Sequence, residues 1–292
     1  RDFCLSRGLG DVYKRQAKEN STLPIMATVI FDESKKMLTG ASPQVVVSLL
    51  EGLGVDALGI NCGLGPKQMK EIVKELLKYA SIPVIVNPNA GLPRSENGKT
   101  VFDVGAEEFA EDMEEIVTMG AWFAGGCCGT TPVHIQAMVE KCKEITPVPI
   151  TPKNYTFVTS YSTAVELGGR PVIIGERINP TGKSKFKQAL RDHNIDYILE
   201  EGVKQEDSGA HILDVNVGLP EIDEAAMMET IVYELQSIMP IPLQIDTTNM
   251  EAMERALRIY NGKPMINSVN GKAEIMEPVS YTHLRAHETG RN

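Results

Sequence analysis

The amino-acid sequence predicts an α/β protein composed of two incomplete (β/α)8 TIM-type barrels joined by a Pro/Ser/Thr-rich linker. Short aliphatic runs alternate with stretches of helical period along the chain, a pattern typical of parallel sheets covered by helices. Polar residues cluster directly after the predicted strands, where barrels and open α/β sheets place their sites. Neither side of the linker has the roughly 250 residues of a closed eight-unit barrel, so two half-barrels are expected.

Residues 17–144 contain four strand–helix units. One helix has its apolar residues on a single stripe, from Met69 to Leu77, which indicates one buried face. Another has Thr131 at its N-cap and Pro132 at its first position, the preferred order at a helix start. Residues 87–100 are rich in Pro, Gly and Asn and are predicted to be a loop. Strands are predicted at 27–31, 56–61, 82–86 and 121–124, and helices at 43–50, 66–80, 107–119 and 131–142.

Residues 145–170 are predicted to be a linker because they combine several prolines with a Tyr/Ser/Thr-rich patch. The alternation then restarts and defines a second domain at 171–278. Strands are predicted at 172–175, 211–216, 241–246 and 264–268, and helices at 185–208, 223–238 and 249–260.

The two ends differ from this pattern. Residues 1–16 and 279–292 lack its periodicity and resemble translated library-adapter sequence, so we expect both to be non-native and exclude them, with Cys4, His283 and His287, from functional reasoning. The chain is then expected to be an interior fragment.

Composition excludes several classes of function. A net charge of −10 argues against nucleic-acid binding, and no run approaches the roughly 20 apolar residues of a membrane span. Five cysteines, two of them adjacent, do not resemble a secreted disulfide framework and favour the reducing cytoplasm.

Three cysteines follow predicted strands of the first domain. Cys62 ends one strand, and Cys127 and Cys128 follow another within a glycine-rich segment. Their sulfurs could converge at the carboxyl ends of the strands, where three thiolates would leave one tetrahedral position open on Zn²⁺. A thiol substrate in that position would be held deprotonated. The alternative is that these cysteines are ordinary buried side chains.

The segments Gly-Ile-Asn-Cys at 59–62 and Gly-Gly-Cys-Cys-Gly-Thr at 125–130 resemble the homocysteine-binding zinc barrel of the cobalamin-dependent methionine synthase family. The resemblance implies that Cys62, Cys127 and Cys128 bind zinc and act catalytically by activating the homocysteine thiol. It assigns 17–144 to the C-terminal half of that barrel, and the family's N-terminal strands are expected to be absent.

Carboxylates and amides follow the strands of the second domain. An aminopyrimidinone ring offers N–H donors and a carbonyl acceptor along one edge, which carboxylates and asparagines can bind. Any single one of these residues could instead be an ordinary turn or cap residue. The segments are Gly-Glu-Arg-Ile-Asn-Pro-Thr-Gly at 175–182, Asp-Val-Asn-Val-Gly at 214–218, Gln-Ile-Asp-Thr-Thr at 244–248 and Ile-Asn-Ser-Val-Asn-Gly at 266–271.

These segments resemble the pterin-binding domain shared by methionine synthases, corrinoid–iron–sulfur methyltransferases and dihydropteroate synthases. The resemblance assigns 171–278 to the N-terminal half of such a barrel. It implies that Glu176, Asp246 and Asn267 contact methyltetrahydrofolate, with Asn179 and Asp214 close by.

Together, the two resemblances imply methyl transfer from 5-methyltetrahydrofolate, through methylcobalamin, to zinc-bound homocysteine, giving methionine and tetrahydrofolate. Neither barrel holds a corrinoid, so a cobalamin-binding domain in cis or in trans is the implied partner. Two alternatives stay open: a corrinoid-independent homocysteine S-methyltransferase with another methyl donor, or a catalytically inert truncated fragment.

Overall fold

The computed structural model describes residue 20 and residues 22–268. The segments 1–16 and 279–292, and the end of the motif at 266–271, lie outside these described residues. The chain divides between Asn154 and Tyr155 into two compact units, and this division falls within the predicted linker. We call residues 22–154 the first unit and residues 155–268 the second unit.

The first unit is built on a four-stranded parallel sheet whose strands follow one another in chain order, β1-β2-β3-β6. A helix separates each strand of this sheet from the next one along the chain, as in consecutive units of a β/α barrel. The strands are β1 (Met26–Val29), β2 (Ala57–Asn61), β3 (Val84–Asn87) and β6 (Phe123–Ala124), and the helices are α1 (Pro43–Gly52), α2 (Pro66–Tyr79), α3 (Ala106–Met119) and α4 (Pro132–Cys142).

The helices form where the sequence signals place them. Ser42 caps α1, its hydroxyl accepting a hydrogen bond from the Val45 N–H at 3.4 Å. In α2 the apolar stripe is buried from Met69 to Leu76. The amphipathic pattern therefore defines the face that packs on the sheet.

One part of the predicted loop at 87–100 is a β-hairpin, β4 (Arg94–Glu96) paired with β5 (Lys99–Val101). Asn97 and Gly98 connect the strands with φ of 51° and 74°, the combination that a type I′ turn requires. The expectation of an irregular loop was therefore wrong for these residues. The Asn-Gly pair was the sequence signal for the hairpin.

The second unit repeats the plan of the first, with a parallel sheet in the order β9-β10-β11-β12. The α/β fold class with parallel sheets is therefore confirmed in both units. The strands are β9 (Ile174–Ile178), β10 (Ile212–Val215), β11 (Leu243–Asp246) and β12 (Met265–Asn267), and the helices are α5 (Ser184–Arg191), α6 (Ile195–Asp207), α7 (Glu224–Ile238) and α8 (Met250–Ile259).

The predicted helix at 185–208 is two helices, because the chain breaks between α5 and α6. His193 adopts a left-handed conformation with φ of 51°, and Asn194 caps α6 by accepting a hydrogen bond from the Tyr197 N–H at 3.2 Å. A left-handed residue cannot continue a right-handed helix, so a new helix starts.

A second unpredicted hairpin, β7 (Thr156–Thr159) with β8 (Ala164–Leu167), occupies the end of the predicted linker. Thr159 exchanges hydrogen bonds with Lys263: its N–H donates to the Lys263 carbonyl at 2.8 Å, and its hydroxyl accepts from the Lys263 N–H at 2.9 Å. The Tyr260 hydroxyl donates to the Thr159 carbonyl and accepts from the Leu243 N–H, both at 3.0 Å. The hairpin is therefore part of the second unit and is bound near the amino ends of β11 and β12.

Within the described ranges, none of the helices is both long and apolar enough to span a bilayer.

Candidate functional sites

The sulfurs of Cys62, Cys127 and Cys128 lie together at the carboxyl end of the first sheet. The Cys62 and Cys128 sulfurs are 3.7 Å apart, the Cys127 and Cys128 sulfurs are 3.9 Å apart, and all three lie within 4.8 Å of one another. The structure thus brings together three residues that the sequence separates by 65 positions, as the parallel arrangement of their strands predicts.

The segment that follows β3 holds the two adjacent cysteines in place. The Cys127 N–H donates to the Pro88 carbonyl at 2.7 Å, and the Cys128 N–H donates to the side-chain oxygen of Asn89 at 3.1 Å. The Ala90 N–H donates in turn to the Cys128 carbonyl at 2.9 Å. Asn89 is 3% exposed and was not among the predicted site residues, although it lies only two positions beyond a strand end.

A glycine is required directly after the cysteine pair. Gly129 has φ of 80°, and a Cβ atom at this position would lie 2.4 Å from the Phe102 ring. Any other side chain would therefore strain the backbone and displace a ring that packs against the turn carrying Cys128.

Cys62 and Cys127 differ in how readily their thiols ionise. Burial and the Cys62 thiol raise the pKa of Cys127 to about 11. Burial also acts to raise the pKa of Cys62, but hydrogen bonds from the Gly63 N–H and from the side chains of Cys128, Cys127 and Asn89 leave it lowered. The neighbours of Cys62 thus favour its ionisation and those of Cys127 oppose it, whereas a divalent cation would favour the thiolate form of the sulfurs that bind it.

The spacing of the sulfurs fits a tetrahedral metal ion. Zinc–sulfur bonds of about 2.3 Å at tetrahedral angles place two sulfurs about 3.8 Å apart. The two separations of 3.7 and 3.9 Å match this value. Three sulfur ligands would leave the fourth position open, as in catalytic zinc sites.

A second cluster, of carboxylates and amides, lies on β10, β11 and the residues that follow them. Asp214 is paired in register with Gln244, whose amide donates to its carboxylate. The Asn216 amide donates to the Asp246 carboxylate at 3.0 Å. Asp246 is also paired in register with Asn267 on β12. The three neighbouring strands β10, β11 and β12 therefore carry Asp214, Gln244, Asp246 and Asn267.

A bulge in β9 determines the position of Glu176. From Leu213 to Val215 the partner strand advances by two residues, whereas β9 advances by three, from Gly175 to Ile178. Gly175 faces Gln205 of α6, and Ile178 is packed in the apolar core. The extra residue keeps both on the helix-covered face and re-aims the side chains between them.

Lys183 and Asn179 belong to the loop that follows β9. The Lys183 ammonium donates to the Glu176 carbonyl at 2.8 Å and lies 3.9 Å from its carboxylate. The side-chain oxygen of Asn179 accepts a hydrogen bond from the Thr181 N–H at 2.9 Å. This hydrogen bond of Asn179 is thus within its own turn. The carboxylates of Glu176 and Asp246, in contrast, act electrostatically on Asp214.

The carboxylate of Asp214 is buried between the neighbouring strands. Burial raises its pKa to about 6; the Gln244 hydrogen bond and Lys183 act to lower it, and the charges of Asp246 and Glu176 act to raise it. Asn216 and Gln244 were not predicted as site residues. The signal was available, because each lies two positions from a predicted aspartate and so faces the same side of the sheet.

Comparison with known proteins assigns both units. The homocysteine S-methyltransferase family matches residues 11–142, and the pterin binding enzyme family matches residues 175–288. The chain is 33% identical over 257 residues to a protein named methionine synthase from Mycobacterium leprae, a match that covers 85% of the chain. The chain belongs to the methionine synthase family.

A second member of the family, methionine synthase from Mycobacterium tuberculosis, is 32% identical over 251 residues. The chain spans 21% of the length of each of these relatives. The crystal structure of the homocysteine methyltransferase MmuM from Escherichia coli, in its oxidized form, matches 45% of this chain and 40% of its own with 24% identity. The TM-score of this match is 0.36.

Proposed function

We propose that this chain supplies two substrate sites of a methyltransferase that moves a methyl group from 5-methyltetrahydrofolate to homocysteine, giving methionine and tetrahydrofolate. A cobalamin on a separate domain, in the same chain or a partner, would carry the methyl group between them. The observation that carries the proposal is the convergence of three sulfurs at zinc-compatible spacing in the unit that matches the homocysteine S-methyltransferase family.

In the first unit, Cys62, Cys127 and Cys128 would hold a zinc ion. When bound, zinc would stabilise the substrate thiol as a thiolate, which is the nucleophilic form of sulfur. The chain's own residues orient the ligands: Asn89 and Ala90 fix the main chain of Cys128. These thiols must stay reduced to bind metal, and the cytoplasm keeps thiols reduced, so we propose a cytoplasmic location.

In the second unit, the carboxylates would accept hydrogen bonds from the N–H groups on the edge of the pterin. Asp246 is oriented for this by the Asn216 amide, and Asn267 beside it can supply both a donor and an acceptor. Glu176 lies on β9, which pairs with β10, and its charge acts to raise the pKa of Asp214. A ligand with several N–H donors would reduce the repulsion among these carboxylates.

The zinc site is tested by metal content of the purified chain. We expect about one zinc per chain, in keeping with the three-ligand site, and its loss in Cys62→Ala. Cys142→Ala is the matched control, because Cys142 lies in α4 outside the cluster. Homocysteine added to the cobalt-substituted chain should change the visible spectrum. Absence of zinc from the unaltered chain, or its retention in Cys62→Ala, would contradict the site.

The folate site is tested by binding of radiolabelled 5-methyltetrahydrofolate. Loss of a charge-assisted hydrogen bond costs about 1.5–3 kcal/mol, so Asp246→Asn should weaken binding by about 10-fold or more. Asp207→Asn, an exposed change at the end of α6 in the same unit, should leave binding unchanged. Equal affinity of the Asp246 variant and the unaltered chain would refute the assignment. Binding of zinc without folate would favour a thiol methyltransferase that uses another donor.

A further inference from the structure

We propose that His134 is a positioning residue for the sulfur cluster, since it fixes the turn that carries Cys127 and Cys128 against the segment between β3 and α3. The inference rests on the proposed metal site and adds a residue outside the set of sulfur ligands. His134 is in the first turn of α4, six positions after Cys128, and is partly buried.

Both nitrogens of the His134 ring have partners in the main chain. Nδ1 accepts a hydrogen bond from the Thr131 N–H at 3.3 Å, and the Thr131 hydroxyl lies 2.9 Å from the same atom. Nε2 lies 3.0 Å from the Val104 carbonyl oxygen. A main-chain N–H can only donate and a carbonyl can only accept, so these partners require the neutral ring with its proton on Nε2.

The ring is packed as well as hydrogen-bonded. The ring of His134 packs edge to face with the ring of Phe109 in α3, with the ring centroids 5.6 Å apart and the ring planes at 86°. Phe109 is fully buried. His134 therefore has a defined orientation, because packing and both ring nitrogens restrain it.

The contacts of His134 close a ring of hydrogen bonds around the turn. The Val104 N–H donates to the Ala90 carbonyl at 3.0 Å, and the Ala90 N–H donates to the Cys128 carbonyl at 2.9 Å. Cys128 is thus attached to Val104 through Ala90, and Thr131 is attached to Val104 through His134. Both ends of the segment 128–131 are held by the same partner segment.

The turn within this ring also restrains Cys127. The Thr130 N–H and hydroxyl both donate to the Cys127 carbonyl, at 3.2 and 2.7 Å. Loss of the contact between His134 and Val104 would release Thr131 and loosen this turn, and with it the two adjacent sulfurs. Partners that hydrogen-bond the metal ligands themselves affect metal affinity by about 10- to 100-fold, and we expect His134, which acts through the turn, to lie at the low end of this range.

The decisive variant is His134→Asn in the full 292-residue chain. The asparagine oxygen can replace Nδ1 as the acceptor for Thr131 and so preserve the start of α4, but asparagine is too short to reach Val104. His211→Asn is the matched control, because Nδ1 of His211 accepts a hydrogen bond from the Ile173 N–H at 3.0 Å in the second unit. Circular dichroism checks that both variants are folded.

We expect zinc transfer from His134→Asn to a chromogenic chelator to be about 10-fold faster than from the unaltered chain, with His211→Asn unchanged. The d–d absorption of bound Co²⁺, which reports ligand geometry, should shift in His134→Asn. Unaltered release and spectrum in that variant would overturn the inference while leaving the metal site intact. Failure of the unaltered chain to bind zinc would instead overturn the proposed function, and the inference with it.

Discussion

Replacing Asp214 with asparagine should make the second unit more stable near neutral pH, although it removes a carboxylate from the candidate folate site. Asp214 is buried and lies near two other carboxylates, Asp246 and Glu176, which oppose its ionisation. Asparagine has the same shape and can still accept the Gln244 hydrogen bond. The substitution therefore removes a repelled charge and keeps the packing.

The magnitude follows from the pKa of Asp214. Burial raises this pKa from an ordinary 3.8 to about 6, and each pH unit of difference corresponds to about 1.4 kcal/mol. The folded unit binds the proton more tightly than the unfolded chain, so its stability increases as the pH falls through 6. Above that pH the ionised carboxylate lowers the free energy of unfolding by about 3 kcal/mol relative to a neutral residue.

Hydrogen exchange in urea measures this effect, read on peptides from α7 in the second unit. Asp214→Asn should raise the free energy of unfolding by up to about 3 kcal/mol near pH 8, and the gain should disappear near pH 4. Trp122 belongs to the first unit, so the transition in its fluorescence is an internal control and should not move. An equal effect at both pH values, or destabilisation near pH 8, would refute the reasoning.

Two further predictions concern buried contacts. Tyr260→Phe should lower the free energy of unfolding of the second unit by about 2–4 kcal/mol, because the buried hydroxyl satisfies two main-chain groups. Tyr233→Phe, at an exposed position, is the control. Equal urea midpoints for the Tyr260 variant and the unaltered chain would contradict the prediction. Gly129→Ala should destabilise the first unit more than Gly98→Ala. Both positions have positive φ, but only the Cβ at 129 would meet the Phe102 ring, so equal losses in urea titrations of the two variants would exclude a clash.

The parts of the structure that depend on local pattern were predictable. The alternation of aliphatic and helical segments predicted all eight strands of the two parallel sheets, because period and turn residues are local properties. The convergence of Cys62 with Cys127 and Cys128 was predictable as well, since parallel strands in chain order bring their carboxyl ends to one edge. The roles of these residues in binding remain proposals.

The missed features depend on distant partners or on single-residue irregularities. The hairpin at 156–167 is held by Tyr260 and Lys263, about a hundred positions later, so the partners that bury its strands are not visible in the local sequence. The extra residue in β9 that re-aims Glu176 leaves no pattern in the sequence. Asn216 is different, because its signal was local and was overlooked. It lies two positions after Asp214, and the alternation of side chains along a strand places both residues on the same face of the sheet.

The two clusters share an electrostatic property that supports the ligands proposed for them. The cysteine cluster raises the pKa of Cys127 to about 11, and the carboxylate cluster raises the pKa of Asp214 to about 6. In both, neighbouring acidic groups resist ionising together. A metal cation relieves that repulsion among thiolates, and N–H donors relieve it among carboxylates. Under the proposed function, groups whose ionisation is unfavourable in the chain by itself would become favourable contacts for a cation in the cysteine cluster and for hydrogen-bond donors in the carboxylate cluster.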